Sequence, residues 1–360
     1  MEGHQIMTNL SELVTAPAIA AYWNTLQSNQ IPFLGPSLFP AKHMSGLKLE
    51  WLRGKDSLPV QLAPSAFDTK PTIRDRGGVA KAGIKLPFFR ESMRIGEEDR
   101  QELLTLLSAN APYVDDVIAR IFDDAAALVN GALINPEVEI FQLLQSAKIN
   151  IASADDSGQA VNYSYNYDPN GTWAAGNVTT LAGDAVWGGV GQHPVADILA
   201  MKRNAAANGT IITRAIVSTG LWAQLLTDAS IGKDIFPLAT SAALSDNDLQ
   251  TYLSNKTGIA FTVYAKQYYD TNKAAHSFMD DDKVVFLPST SVGSTYYGTT
   301  PEEVDLRGGQ VPGAQVAIVN TGVAVLTIKE ALPVNVVTSV SEIVAPSYEG
   351  IDNVYVLKVK

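Results

Sequence analysis

Cysteine is absent from all 360 residues. Disulfide stapling, thiolate catalysis and cysteine-ligated zinc are thereby excluded, and a cytosolic origin fits. No apolar run approaches the roughly 18 residues needed to span a bilayer, so no membrane partner is expected. The first residues lack a basic stretch followed by an apolar one, so no secretory signal is expected either. Catalytic patterns are equally scarce. The four histidines, at 4, 43, 193 and 276, form no HxxxH or HExxH pair, the spacing that zinc sites on a helix need. There is no Walker-type loop and no GxSxG. The glycine cluster at 188–191 lacks a following Lys-Ser/Thr and precedes Pro194, so it reads as a connecting loop rather than a phosphate cradle. Ser45 and Lys48 match SxxK, but in an extended stretch rather than at a helix start. The three acids 280–282 read as a solvated turn before a strand. No catalytic residue, cofactor or metal ligand is expected, and the chain does not read as an enzyme.

What the chain does have is charge concentrated in one place. Residues 42–94 hold eleven Lys/Arg against five acids, a formal charge of +6, while the whole chain carries −11 and the remainder therefore −17. A basic, turn-rich arm on an acidic body suggests binding to further copies of itself, since the natural counter-charge of the arm is a neighbour's body. An ordinary cationic surface loop is the alternative. With a pI near 4.8, the body is not expected to wrap duplex nucleic acid by bulk charge.

Hydrophobic residues at 46% and charged residues at 18% are globular values, and the length allows two or three domains. A short helix is expected over 16–27. Three prolines among apolar residues make 31–40 extended, and its Phe33, Leu34, Leu38 and Phe39 need burial against something. Residues 47–51 alternate like a half-buried strand. Residues 84–89 form a second extended arm, with prolines and Gly77-Gly78 between the two. A two-armed β-excursion with arms of about 15 residues would reach roughly 50 Å, well beyond a body whose radius of gyration is about 21 Å. Residues 112–146 carry apolar side chains at i, i+3, i+4 with Asp115, Asp116, Asp123 and Asp124 opposite, which predicts a long amphipathic helix, kinked or restarted at Asn135-Pro136. Beyond it, strands flank the turn at 154–158. His193 and Pro194 open a helix ending at Asn208-Gly209. The texture is then α/β: strand 211–217, helix 219–227, a helix capped by Ser245 and Asp248, and strands 259–265 and 283–287. A Gly/Ser/Thr loop follows at 289–313. Strands 315–319, 323–329, 334–338 and 353–359 close the chain.

In their order, several segments resemble the lambda-type phage major capsid protein E family. Residues 33–40 (FLGPSLFP) with 45–51 (SGLKLEW) resemble its lead into an extended loop. Residues 74–78 (RDRGG) with 85–90 (KLPFFR) resemble the return. The likeness continues through 145–148 (QSAK), 183–187 (GDAVW), 194–202 (PVADILAMK), 332–334 (LPV) and 352–359 (DNVYVLKV).

The resemblance implies an α+β tailed-phage capsid fold. Its expected parts are an N-terminal arm at 1–41, an extended β-hairpin loop at 42–94, and a peripheral domain at 95–209 with its spine helix at 112–146. An axial α/β domain at 210–320 and C-terminal strands at 321–360, returning to the peripheral domain, complete it. It implies a structural subunit that self-assembles, as hexamers and pentamers, into an icosahedral shell enclosing DNA without sequence-specific binding. Decoration and scaffolding proteins are further possible partners. Localisation would be the virion capsid, assembled in the host cytoplasm. The alternatives are an encapsulin-like compartment holding cargo enzymes, or an enzyme whose site is unseen. Expected inter-subunit contacts are Lys70, Arg74, Arg76, Lys81, Lys85 and Arg90 on the loop, and Phe33, Leu34, Leu38 and Phe39 on the arm. The loop's candidate acidic partners are Asp115, Asp116, Asp123 and Asp124, or Asp280, Asp281 and Asp282.

Overall fold

The helical spacing of 112–146 and the alternation of the C-terminal strands set the architecture. The structure, a computed structural model, describes residues 14–26, 32–53, 80–98, 101, 105, 114–154, 160–237, 244–306, 312–331 and 334–360. In chain order the N-terminal half contains α1 (Ala16–Leu26), α2 (Gly35–Leu38), β1 (Ala41–Met44), β2 (Lys48–Arg53), β3 (Ala80–Lys85), β4 (Phe88–Ile95), α3 (Val114–Ser146), β5 (Lys148–Ala154), β6 (Ala160–Asn166), α4 (Thr172–Asn177) and β7 (Val178–Thr180). Next come α5 (Pro194–Ala207), β8 (Arg214–Ser218), α6 (Thr219–Leu226), α7 (Ala229–Ile235), α8 (Asp246–Thr257), β9 (Ala260–Tyr264), β10 (Gln267–Tyr269), β11 (Ala275–Ser277) and β12 (Lys283–Leu287). The chain finishes with β13 (Ser294–Gly298), α9 (Pro301–Asp305), β14 (Ala314–Val319), β15 (Val323–Ala331), β16 (Val334–Ser347) and β17 (Tyr355–Lys358).

Helix α3 is continuous through Pro136 for 33 residues, a length of about 50 Å. Of the expected kink or restart at Asn135-Pro136, the restart does not occur. The missing proline N–H removes one rung, and packing on both sides carries the helix across it. Ala125, Leu128, Val129 and Leu133 lie in one core with Ile19 and Trp23 of α1, while Ile140, Phe141, Leu143 and Leu144 lie in another with Leu49, Trp51 and Trp173. Ala147, at φ 55, ends the helix by donating its N–H to the Leu143 carbonyl, the left-handed cap that is usually glycine.

Two larger sheets flank this helix. One runs β1-β13-β16-β15-β14, with β4 also paired to β16 over eight residues. The other runs β7-β17-β12-β8-β9. Helices α5 to α8 cover the second sheet through Ile198, Met201, Leu221, Trp222, Leu249 and Leu253. Ser245 and Asp248 form the expected capping box of α8, and Gly258, at φ 67, ends it.

Four expectations are corrected by the pairing. Residues 31–40 contain the one-turn helix α2 rather than only extended chain. The Gly/Ser/Thr stretch 289–313 contains β13 and α9. Strand β13 has a buried, partly polar sequence (STYYG) without alternation, because it is paired on both edges, with β1 and with β16. Residues 42–94 are not one excursion. Lys42 and His43 in β1, and all of β4, belong to the six-stranded sheet, so the excursion is the hairpin leaving through β2 and returning through β3. Finally, the strands of 321–360 divide. β15 and β16 join the six-stranded sheet, but β17 sits inside the five-stranded one, between β7 and β12.

Candidate assembly surface

Strands β2 and β3 pair antiparallel with Lys48 opposite Lys85 and Arg53 opposite Ala80. Side chains alternate across a strand. Leu49 and Trp51 therefore point to the body and are buried, while Lys48, Glu50 and Leu52 face out. Trp51 stacks on Tyr167 with ring centroids 5.2 Å apart, and the Tyr165 hydroxyl donates to the Lys85 carbonyl at 2.7 Å. The foot of the hairpin is clamped by charge. Arg53 donates from Nε (2.9 Å) and from its terminal NH2 group (2.6 Å) to the two carboxylate oxygens of Asp352, the bidentate geometry that makes Arg–carboxylate pairs strong. Asp168 lies 3.9 Å from the same guanidinium. It also accepts from the Trp173 and Ala174 N–H groups and the Thr172 hydroxyl at the start of α4. Burial opposes ionisation of Asp168, but the Ala174 and Trp173 N–H groups, Thr172 and Arg53 together outweigh it and hold its pKa below the ordinary carboxylate value. The hydrogen bond to Asp352 raises Arg53 above its own ordinary value despite the cost of burial.

The outward face of this stem carries Lys48, Glu50, Lys81 and Lys85, a formal +2. Lys81 pairs with Glu50 at 2.5 Å, and that hydrogen bond, with the charges of Lys81 and Lys48, lowers the Glu50 pKa. Lys48 and Lys85 stand directly opposite each other, an arrangement that is unfavourable without a counter-charge. Leu52, 61% exposed, sits among them. Sequence reasoning missed Leu52, although its signal was present: it falls on the polar phase of the alternating run KLEWLR. Arg53 was missed as a clamp because its partner is 299 residues away.

The expected loop contacts thus part company. Lys81 and Lys85 lie together on the outward face. Arg90 does not join them: it lies in β4, where its guanidinium pairs with Glu302, whose other oxygen accepts from Ser341, and it covers the Phe88 ring. Lys70, Arg74 and Arg76 lie outside the described residues. Of their candidate partners, Asp123 accepts from the Tyr22 hydroxyl of α1 at 2.6 Å, and Asp280 and Asp282 pair with Lys283. Asp115 and Asp116 lie on the first turn of α3.

The arm residues find burial within their own chain. Phe39 is 0% and Leu38 3% exposed in the core around α3, so the groove they were expected to need is supplied internally. Phe33 and Leu34 are partly buried against the same core, and Lys266 lies 3.5 Å from the centre of the Phe33 ring. Glu137 fastens this segment. Its carboxylate accepts from the N–H groups of Leu34 and Gly35 and from the Tyr264 hydroxyl. A Cβ at position 35 would meet that carboxylate at 2.2 Å, so a larger residue there would have to displace the Glu137 side chain that fastens the segment. Burial pushes the Glu137 pKa up, opposed by those donors and Lys266.

A second acidic cluster is buried where α3 crosses β16. Glu139 and Glu342 are both 0% exposed. Glu342 receives one hydrogen bond, from the Asn135 amide at 2.9 Å. Its other oxygen and both oxygens of Glu139 have no partner among the described residues. Burial pushes Glu342 up to about 8, against the Asn135 bond, and pushes Glu139 well above the ordinary value, with the charge of Glu342 adding to the effect. Glu342 is therefore largely neutral at pH 7, and burial likewise disfavours the charged form of Glu139. Among the described residues no group of three His, Cys, Asp or Glu could hold a metal ion, and no helix is long and apolar enough to cross a membrane.

Residues 15–313 match the family profile described as phage major capsid protein E. Among solved structures, the chain is similar to a protein assigned as the capsid protein of an Escherichia coli CFT073 prophage (TM-score 0.57, 14% identity, covering 96% of this chain and 99% of that one). It is similar to a phage-related protein from Bordetella bronchiseptica RB50 (TM-score 0.54, 13% identity, 96% and 97%), and to the capsid asymmetric unit of cyanophage A-1(L) (TM-score 0.50, 12% identity, 92% and 94%). At these identities the structural likeness speaks for the fold. No curated protein matches the chain.

Proposed function

This chain belongs to the phage major capsid protein E family, and from that premise we propose how one copy engages the next. Its role is that of a major capsid subunit: a structural protein that associates with itself into the shell of the phage head. The family match, over most of the chain, carries this conclusion and favours a phage shell over a cargo-holding compartment.

Within that role the hairpin of β2 and β3 is the part that reaches a neighbour. Its inner face is fixed by Trp51 and Arg53. Its outer face offers uncompensated positive charge and an exposed leucine, and the basic residues Lys70, Arg74 and Arg76 fall in the sequence between its two strands. The body it meets is acidic. Individual exposed ion pairs contribute only about 0–1 kcal/mol, so the gain comes from many made together. The six-stranded sheet with α3 serves as the peripheral body, and the five-stranded sheet with its helices as the axial one. Capsomers are hexamers and pentamers assembled in the host cytoplasm into a shell that encloses packaged DNA without sequence preference, with decoration and scaffolding proteins as further partners.

Expression of the chain, followed by light scattering and electron microscopy, tests the shell role. Capsomers or shells are expected, and a strictly monomeric species at every salt and protein concentration would refute it. Reversing Arg74, Arg76 and Lys81 to Glu tests the hairpin. The subunit should keep its melting transition and fail to assemble, and normal shells from that variant would sink the docking role.

A further inference from the structure

The five-stranded sheet holds an arrangement that the hairpin's role leaves unexplained. Thr180, Lys358 and Lys283 stand in register across β7, β17 and β12: Lys358 is the Cα partner of Thr180 on one side and of Lys283 on the other. Two lysines directly opposite each other repel. Lys283 is relieved by Asp280 at 2.5 Å and Asp282 at 3.9 Å. Lys358 has no such relief among the described residues. These side chains line a cleft of about 520 Å³ together with a third lysine, Lys148, at the start of β5 just past the end of α3. Three cations from three strands thus converge on one concavity, in a protein whose overall charge is −11.

Nearby acids of the same chain are already committed. Asp280 and Asp282 serve Lys283. Asp168, which also borders the cleft, is held by Arg53 and by the N–H groups at the start of α4. Lys148 and Lys358 remain for an external anion. A cleft of this size admits one or two side chains rather than a duplex, and the strongly acidic body around it repels nucleic acid. In a shell of identical subunits the carboxylates at highest local concentration are those of neighbouring copies.

We infer that this cleft is a carboxylate socket that receives an acidic segment of a second copy of the chain. The inference rests on the shell-forming role and adds to it a contact made by the axial sheet, separate from the hairpin.

The test is the double variant Lys148→Glu with Lys358→Glu, compared with wild type for assembly rate by light scattering at low and high salt. Melting and circular dichroism check the fold, and retention of a short DNA duplex on a filter is measured alongside. Wild type should assemble about tenfold or more faster than the variant at low salt. The gap should narrow at high salt, and DNA retention should be alike for both. If the reversed variant loses its melting transition, Lys148→Gln with Lys358→Gln, which preserves most of each side chain's length, decides the matter: slower assembly supports the socket, and an unchanged rate overturns it. Equal rates for wild type and a folded reversal variant overturn the socket and leave the shell role standing. Normal assembly with lost DNA retention also overturns it, reassigning the cleft to phosphate. Failure of wild type to assemble under any condition removes the shell role and the socket together.

Discussion

Two of the places where the molecule buries charge treat it in opposite ways. At the hairpin foot, Arg53 meets Asp352 and Asp168, and nearly every donor and acceptor there has a partner. Where α3 crosses β16, Glu139 and Glu342 are buried with a single amide donor, and three of their carboxylate oxygens have no partner among the described residues. The first cluster pairs its charges and holds a projecting element in one direction. Burial disfavours the charged forms of the second and leaves the helix–sheet junction sensitive to pH. Paired charge fixes geometry, whereas unpaired buried acid makes stability conditional on protonation.

The sharpest way to break this contrast is to remove the titration. Glu342 has a raised pKa in the folded state, so its carboxyl is neutral there while the unfolded chain ionises near 4.5. Wild-type stability should therefore be greatest below about pH 4.5, as far as this group is concerned, and fall as pH rises towards 8. Glu342→Gln should abolish that fall and gain on the order of 4 kcal/mol at pH 8. Urea melts from pH 5 to 9 measure it, and parallel curves for variant and wild type would disprove the unpaired-acid account.

Next in size is Arg53→Met, which strands two acids at the foot. A loss of about 2 kcal/mol at pH 7 is expected, together with a shift in Trp51 fluorescence. The pKa of Asp168 is depressed, so its contribution is present above the ordinary carboxylate value and lost as pH falls through the folded one. The variant should accordingly show a flatter acid limb than wild type.

Asn135→Ala takes away the one donor to Glu342. It should cost about 1 kcal/mol and extend the decline in stability to higher pH, because that hydrogen bond lowers the Glu342 pKa. A Glu342 titration by carboxyl NMR that stays in place would contradict this. The smallest effect belongs to Lys81→Ala. Its pair with Glu50 is exposed, so the melting temperature of the free subunit should not move, while the salt dependence of assembly should weaken.

Much of this architecture was legible in the chain because its signals are local. Helix α3 follows from apolar residues at i, i+3 and i+4, the α8 cap from Ser245 and Asp248, and the hairpin stem from the alternation around Leu49 and Trp51. What escaped depends on distant partners. STYYG has β-forming Thr and Tyr but lacks the alternation that marks a half-buried strand, because β13 is paired on both edges, with β1 and β16. A Cβ at Gly293, just before it, would meet the Ser347 carbonyl at 2.2 Å and the Phe39 ring at 2.3 Å, a fit visible only in three dimensions. The arm's apolar residues were recognised as needing a groove, but which groove depended on Glu137 and α3, about a hundred residues later. Glu139 and Glu342 look like ordinary surface acids in the sequence. Their burial comes from the crossing of a helix and a strand some two hundred positions apart. The charged stem face was legible in kind, and Lys81 and Lys85 lie on it, whereas Arg90 lies apart from it, paired with Glu302 from across the fold.

The placement of β16 and β17 has a consequence in time. β16 is the strand on which β4, β13 and β15 all depend, and β17 is the link between β7 and β12. Neither sheet can close until residues 334–358 have been synthesised. A chain still on the ribosome can form α3 but leaves β4 and β7 waiting for pairing partners. Pairings of such long sequence separation form slowly and leave strand edges open meanwhile. A chain that has not yet reached residue 358 thus has no completed body to offer a neighbour, and synthesis of β16 and β17 separates making a subunit from adding it to a shell.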